Sequence, residues 1–248
     1  MKIKPVYQQI LFGVVLVSLS VFFYVLHYII FRDAHQIFLY LLSDIAFVFI
    51  EVLLVTLIIR QLLSAREKRA MLKKLNMVIG AFFSEAGISL LKYFWAFDAE
   101  AESLGKHLIV DSEWSEEHFN KIRAILQHRD SKIYVHKGKL EEMRSFLINK
   151  RSFLLGLLEN PNLLEHDEFT ELLWAVFHLA EELSHRESVR NLPETDYEHL
   201  AGDIKRAYGL LVREWLSYME HLKGNYPYLF SLAVRTNPFN PQASVEVK

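Results

Sequence analysis

Hydrophobic and polar positions divide the chain into an apolar N-terminal part and an amphipathic remainder. Two long apolar runs, Val6–Phe31 and Ile37–Ile59, are separated by a short polar stretch at 32–36. A helix needs about 20 apolar residues to cross the ~30 Å hydrocarbon layer of a bilayer, and both runs reach that length. We therefore predict a transmembrane helical hairpin over residues 1–63, with helices at about 6–31 and 37–62.

The next segment, residues 64–97, has a charged start and an apolar end. Ser64–Lys74 is rich in charged and helix-forming residues, so the second transmembrane helix is expected to continue through it. Three interpretations compete for the apolar stretch Met77–Phe97. The first is a pair of buried core helices broken near Gly80 or Gly87. The second is an aromatic-anchored helix in the membrane interface, and the third is a third membrane crossing.

Beyond residue 97 the apolar residues recur with helical periodicity, which predicts an all-α cytoplasmic bundle over residues 98–236. One helix is expected to begin after Ser115, and a short aromatic helix near Tyr226. Three longer helices are predicted at about 139–158, 167–185 and 196–222. The Asn- and Pro-rich stretch after Thr236 predicts that regular structure ends and that residues 237–248 form a loose tail.

Basic residues near the ends of the hairpin set its expected orientation. Lys2 and Lys4 precede the first helix, and a larger basic cluster follows the second, which predicts that both termini are cytoplasmic in a multi-pass protein of the cell inner (plasma) membrane. The cluster is expected to contact anionic lipid headgroups. Its members are Arg66, Lys68, Arg69, Lys73 and Lys74.

Polar residues inside the apolar runs form two stripes. Ser20, Tyr24 and His27 share one face of the first helix, and Asp44 and Glu51, seven residues apart, share one face of the second. A carboxylate at mid-membrane costs about 2.5–3.5 kcal/mol on insertion scales, so we expect the stripes to face each other or a common axis. They either hydrogen-bond helices together, line an ion- or proton-conducting axis in a homo-oligomer, or bind a partner.

Composition excludes several function classes. The chain has no cysteine and a formal net charge of −2, which argues against thiolate chemistry and against nucleic-acid binding. Charge is segregated: residues 121–151 carry nine basic and three acidic residues, and residues 159–203 carry two basic and twelve acidic ones. Attraction between these two segments is the simplest interpretation. No Gly-rich phosphate loop, nucleophile elbow, kinase signature or zinc-protease helix occurs, so catalysis is not expected.

One polar helix face resembles a metal site. Its residues are Glu171, His178, Glu182 and His185. The spacing Glu182-x-x-His185 matches the motif of carboxylate-bridged di-iron bundles, and imidazole with carboxylate ligands suits Zn or Fe. Further donors are available on the next helix: His199 with Asp203, or Glu214 with His221. The alternative is an ordinary solvated polar face that binds no cofactor.

Three stretches carry a resemblance to a known family: Asn76–Gly87, the long helix Leu200–Lys223, and Tyr226–Phe239. They resemble a family of uncharacterised prokaryotic membrane proteins with an N-terminal helical hairpin. The resemblance implies a hairpin followed by a helical domain. It implies no activity and no catalytic residue.

These observations predict a membrane-anchored, self-associating scaffold, sensor or regulator without catalysis of its own. An oligomeric cation or proton channel lined by Asp44 and Glu51 is the first alternative. A metal-binding helical domain, acting as a sensor or an enzyme, is the second.

Overall fold

Regular secondary structure in this protein is helical. The computed structural model describes residues 5–135, 139–161, 163 and 166–246, with side chains at all of these except 5, 6, 8, 9 and 68–73. The described residues contain no strand beyond a single bridge pairing Asp98 with Ile133. The predicted all-α class is therefore confirmed. Two units are distinguished, an N-terminal unit of residues 1–68 and a C-terminal unit of residues 69–248.

The N-terminal unit consists of α1 (Pro5–Phe31) and most of α2 (Ala34–Phe82). The polar break between them is a tight turn. Arg32 adopts a left-handed φ of 52°, an uncommon conformation for a residue with a side chain. The carboxylate of Asp33 then accepts a hydrogen bond from the backbone N–H of His35 at 2.9 Å, which caps the start of α2.

Apolar side chains of the N-terminal unit are exposed. The stretches Ile10–Phe31 and Ala34–Glu67 have mean hydropathies of 2.4 and 2.5, and neither is buried within the protein. A third stretch, Lys74–Phe97, has a mean hydropathy of 1.3 and is 44% buried. By length and composition, all three are able to cross a membrane.

Within the described residues, the C-terminal unit starts with the last turns of α2 and continues through a π-helical turn and seven α-helices. The π-turn spans Phe83–Gly87. The helices are α3 (Ile88–Phe97), α4 (Ala101–His107), α5 (Glu116–Gln127), α6 (Leu140–Leu158), α7 (Asp167–Ser184), α8 (Glu194–Asn225) and α9 (Pro227–Arg235).

Helix α8 is the centre of this unit, because α3, α5, α7 and α9 all pack against it while α6 packs against α7. Aromatic pairs join the layers: Phe94 meets Tyr208 of α8 with ring centroids 6.0 Å apart, and Phe83 stacks on Tyr218 at 4.8 Å. Phe82, Phe83 and Phe94 are fully or almost fully buried. For the stretch Met77–Phe97 this burial favours the core interpretation over the interfacial one, with the break at the π-turn.

Gly87, the last residue of the π-turn, has no room for a side chain. A Cβ atom on this residue would lie 2.6 Å from Cδ1 of Phe83, closer than real Cβ contacts. The missing side chain leaves room for the aromatic ring of Phe83, which stacks on Tyr218.

The start of the C-terminal tail differs from the prediction. Asn237 and Phe239 are 1% and 2% exposed, and Phe239 lies between Trp95 and Trp215 at centroid distances of 5.3 and 4.8 Å. The amide of Asn237 also donates a hydrogen bond to the carbonyl of Leu108 at 2.8 Å. Proline ends the helix here, as expected, but it leaves the following side chains free to fill the core.

The helices α6, α7 and α8 position the candidate site. His166 caps α7 by accepting a hydrogen bond from the N–H of Phe169 at 3.1 Å. An ion pair of 2.5 Å between Arg151 of α6 and Glu181 of α7 links these two helices. This contact joins the two oppositely charged segments of the sequence.

Candidate metal centre

Two histidines and two carboxylates converge where α7 faces α8. His178 and Glu182 lie four residues apart on α7, and His199 and Asp203 lie four apart on α8. Residues at this spacing lie one above the other on a helix, so each helix presents one imidazole and one carboxylate to the other.

The distances within this cluster are short. Oδ2 of Asp203 lies 3.5 Å from Nε2 of His178 and 3.4 Å from Nε2 of His199. The carboxylate of Glu182 lies 3.9 Å from Nε2 of His178 and 3.7 Å from Nε2 of His199. One ligand atom from each of His178, Glu182 and His199 lies within 4.8 Å of the other two.

Burial is uneven across the cluster. The side chain of Asp203 is only 7% exposed, and its Oδ2 has no hydrogen-bond partner among the described residues. The side chains of His178 and His199 are 48% and 51% exposed. The cluster therefore has a buried acceptor at its base and two imidazoles at its solvent side. A buried carboxylate oxygen without a hydrogen bond is costly, so a positive charge next to Oδ2 of Asp203, from a metal ion or from the protonated imidazoles, would stabilise it.

Arg186 holds the second carboxylate. Its guanidinium donates to Oε2 of Glu182 at 2.8 Å and to both oxygens of Asp196, at 2.6 and 2.9 Å. These hydrogen bonds lower the pKa of the Glu182 and Asp196 carboxyls and raise the pKa of the Arg186 guanidinium. Glu182 is consequently a fixed anion. Sequence reasoning did not identify Arg186, although its i, i+4 spacing from Glu182 is the signal for such a pair.

The geometry suits a metal ion. Ligand atoms about 2.0–2.2 Å from a zinc ion lie about 3.3–3.5 Å apart in a tetrahedron. The contacts of Asp203 with the two imidazoles match that separation, whereas Glu182 approaches each imidazole with a different oxygen and at a distance a few tenths of an ångström longer. Imidazole and carboxylate donors are the ligands of catalytic and regulatory Zn and Fe sites.

The structure brings together only part of the residue set expected from the sequence. His178 and Glu182 join the cluster, with His199 and Asp203 as the facing donors. His185 lies past the end of α7 and bonds instead to the carbonyl of Glu181, at 2.8 Å.

Glu171, Glu214 and His221 also lie outside the cluster. Glu171 precedes His178 by two helical turns, about 10 Å along the axis. Glu214 is 3% exposed and His221 is half-buried, and both lie further along α8.

The polar stripes of the N-terminal unit are placed differently from each other. Ser20, Tyr24 and His27 line a cavity of about 410 Å³ together with Ile37 and Tyr40 of α2. The acids of the second stripe do not line it. Asp44 and Glu51 are exposed, with no hydrogen bond or ion pair to any other residue that the structure describes. That the two stripes meet stays a prediction.

The basic cluster after the apolar run is described only in part. Arg66 and Lys74 are exposed side chains on α2. The side chains of Lys68, Arg69 and Lys73 lie outside the described ones.

Comparison with known proteins places both parts of the chain in one family. The N-terminal helical domain of MJ1433 matches residues 2–63, and the C-terminal helical domain of uncharacterized protein MJ1433 matches residues 71–235. Uncharacterized protein MJ1433 of Methanocaldococcus jannaschii is 44% identical over 237 residues, which cover 96% of this chain and 95% of the relative. No solved structure matches the chain. The resemblance noted in the sequence is thus confirmed, and the chain belongs to the uncharacterised MJ1433 family of paired N- and C-terminal helical domains.

Proposed function

We propose that this protein is a membrane-anchored regulator whose C-terminal unit binds a divalent transition-metal ion between α7 and α8. The ligands are His178, Glu182, His199 and Asp203. The observation that supports the proposal is the buried Oδ2 of Asp203, which has no hydrogen-bond partner among the described residues yet lies within 3.5 Å of two imidazole nitrogens. A cation bound there satisfies all four side chains at once.

Zinc and iron are the expected ions, because two imidazoles and two carboxylates suit both. Each imidazole binds through its neutral Nε2, and each carboxylate contributes a negative charge. The bound ion ties α7 to α8, and its arrival or loss changes the stability of the C-terminal unit. Such a response is what a metal sensor requires.

The test is metal analysis of the full-length protein purified in detergent. One ion per chain is expected in the wild type, and a strong loss is expected for His199→Ala and for Asp203→Asn. His185→Ala is the matched control, because this histidine is exposed, lies just past the end of α7 and does not join the cluster. Metal bound equally by all four proteins would contradict the proposal.

A second readout does not depend on metal retained during purification. Adding Zn²⁺ at about 100 times its Kd is expected to stabilise the wild type by about 2.7 kcal/mol. Asp203→Asn is expected to lose this gain, and His185→Ala to keep it. If added Zn²⁺, Fe²⁺ and Co²⁺ all leave the free energy of unfolding of the wild type unchanged, the proposed metal binding is contradicted.

The anchoring part of the proposal rests on the N-terminal unit. Its two apolar stretches are unburied within the protein, and a bilayer is the solvent in which such surfaces are stable. Both termini then lie in the cytoplasm, with Arg66 and Lys74 near anionic headgroups. Asp44 and Glu51 are the reason to expect self-association, because a second copy of the chain is able to cover them.

Self-association is tested in nanodiscs by the number of chains per disc. Asp44→Asn with Glu51→Gln is expected to leave a scaffold largely assembled, because the polar amides that replace the acids still need cover from lipid. Glu67→Gln is the control at the charged end of the same stretch. Proteoliposome flux distinguishes the channel alternative: cation or proton flux that the double variant abolishes would support conduction. A wild type that stays monomeric would contradict self-association.

A further inference from the structure

A second cavity lies next to the proposed metal centre. It occupies about 700 Å³ between α7 and α8, and its walls include Glu171, Trp174 and His178 of α7 and Arg206 and Arg213 of α8. A volume of several hundred Å³ is typical of small-molecule sites, roughly 300–1,000 Å³. Because His178 belongs both to this wall and to the metal cluster, a molecule in the cavity reaches the ion.

The walls of the cavity are positively charged. Arg129, Lys205, Arg206 and Arg213 line it, against a single acid, Glu171, among its described lining residues. Arg129 is paired with Asp98, and Lys205 is paired with Asp130.

Arg206 and Arg213 are the two cations available to a ligand. Neither side chain makes a hydrogen bond or an ion pair with another residue of the described ranges. They lie seven residues apart on one face of α8, and Gly209 between them has no side chain to fill the gap. Two guanidinium groups on one face favour an anion with several oxygens, and phosphate matches their planar donor geometry.

An aromatic surface lies across the cavity from these arginines. Trp174 of α7 is 58% exposed, although tryptophan is highly buried on average. It is four residues from His178 and therefore lies on the same face of α7. An exposed indole at the edge of a basic cavity is a stacking surface for a planar ring, and every nucleobase has such a ring.

We infer that this cavity binds a nucleoside phosphate. Its phosphate lies between Arg206 and Arg213, its base stacks on Trp174, and the carboxylate of Glu171 accepts hydrogen bonds from the sugar hydroxyls. The phosphate would also lie next to an ion held by His178, which lines both the cavity and the metal cluster. This last contact alone rests on the proposed metal function. The bound nucleotide is then the signal that a metal-dependent regulator reads.

The experiment measures binding of ADP to the full-length protein in nanodiscs by calorimetry and by tryptophan fluorescence. ADP is expected to bind the wild type, and Arg206→Gln with Arg213→Gln is expected to weaken binding about tenfold or more, because hydrogen bonds to charged groups are lost. Arg190→Gln is the control, an exposed arginine outside the cavity. Trp174→Phe is expected to remove the fluorescence change.

Two further ligands test whether the cavity prefers a nucleoside phosphate to other phosphate compounds. Inorganic phosphate and glycerol 3-phosphate, a lipid-headgroup probe, are expected to bind at least about tenfold more weakly than ADP, since neither stacks on Trp174. Equal binding of either one would overturn the nucleoside assignment. Equal binding of ADP by the wild type and the double arginine variant would overturn the cavity itself.

The contact with the metal has its own test. By linkage, Zn²⁺ is expected to raise ADP affinity, and ADP to raise Zn²⁺ affinity, by the same factor of about five or more. A protein that binds ADP but takes up none of the added metal ions would contradict the proposed function and leave the cavity proposal standing. A protein that binds metal but not ADP would overturn the nucleotide-binding cavity and leave the proposed function standing.

Discussion

The two units of this protein place the same residue types in opposite surroundings. Phe49 on α2 is 75% exposed, whereas Phe94 on α3 is fully buried. Apolar surface gains about 25 cal/mol per Å² when it leaves water, so the N-terminal unit would be unstable as a water-exposed pair of helices. The C-terminal unit covers its own apolar surface, whereas the apolar surface of the N-terminal unit is left uncovered among the described residues.

Their acidic residues show a related contrast. Asp203 and Glu214 are buried in the C-terminal unit, and each has an oxygen without a hydrogen-bond partner among the described residues. Asp44 and Glu51 are exposed in the N-terminal unit. In a buried core and in a membrane interior alike, an acid without a hydrogen bond needs a cation or a polar group to contact it. The proposed metal ion would supply that partner for Asp203, and the proposed second copy of the chain would supply it for Asp44 and Glu51.

Tryptophan fluorescence allows the two units to be compared experimentally. The chain has four tryptophans, Trp95, Trp114, Trp174 and Trp215, and all of them lie in the C-terminal unit. Their emission reports unfolding of that unit alone, in the full-length protein in detergent.

The largest effect is expected from Phe94→Ala. Removing a fully buried phenyl group is expected to lower the free energy of unfolding by about 3–5 kcal/mol, because transfer energy is lost and a cavity remains. Phe49→Ala is the matched change in the N-terminal unit and is expected to leave the tryptophan transition in urea unchanged. Equal destabilisation by both changes would break the contrast between the units.

A smaller, pH-dependent effect is expected from Glu214→Gln. Burial, with help from the charge of Glu168, raises the pKa of the Glu214 carboxyl from 4.5 to about 7. Between these values the native protein binds the proton more tightly than the unfolded chain, so stability falls as pH rises and the full penalty applies above about pH 7.

The variant carries no such penalty, so its stability advantage should grow with pH. The gain over wild type is expected to be near zero at about pH 4.5 and at most about 3 kcal/mol at about pH 8. Urea titrations with a chelator present measure it. Glu51→Gln, the matched acid of the N-terminal unit, is expected to leave this pH profile unchanged. A pH-independent gain for Glu214→Gln would contradict the assignment.

The smallest of the three effects is expected from Gly87→Ala. The added methyl group would collide with the ring of Phe83, and overpacking of this kind costs about 1–3 kcal/mol. Gly156→Ala on α6 meets no atom within 4 Å and is expected to stabilise by about 0.5–1 kcal/mol. Gly13→Ala in the N-terminal unit also meets no atom and should not alter the tryptophan transition. Opposite signs for Gly87 and Gly156 in thermal unfolding confirm the expectation.

Local patterns predicted most of the C-terminal helices. The expected helix at 167–185 is α7 (Asp167–Ser184), and Ser115 caps α5 in a capping box with His118. These features depend on neighbouring residues and are readable in sequence. The short α4 (Ala101–His107) was not predicted, since seven residues give too little periodicity. Burial of Phe239 depends on residues far away in the chain, so no local pattern reveals it.

The sequence predicts part of the candidate site for the same reason: neighbouring residues determine it. The i, i+4 spacing places His178 and Glu182 on one face of α7, which the sequence indicates. The sequence also offers several donors on α8, but the rotation of α8 against α7 selects His199 and Asp203 among them. That rotation follows from the packing of many buried side chains. Trp174 and Arg213 come together through it as well, without any local motif.

The π-turn at Phe83–Gly87 also limits how the chain can vary in length. Such a turn holds one residue more than an α-turn, so deletion of one residue there would restore uninterrupted α-helix. Everything from Ile88 to Phe97 would then rotate by about 100° about the helix axis. Leu90, Leu91 and Phe94, which now contribute to the core, would swing away from it. In this turn, the number of residues therefore matters more to folding than the identity of most of them.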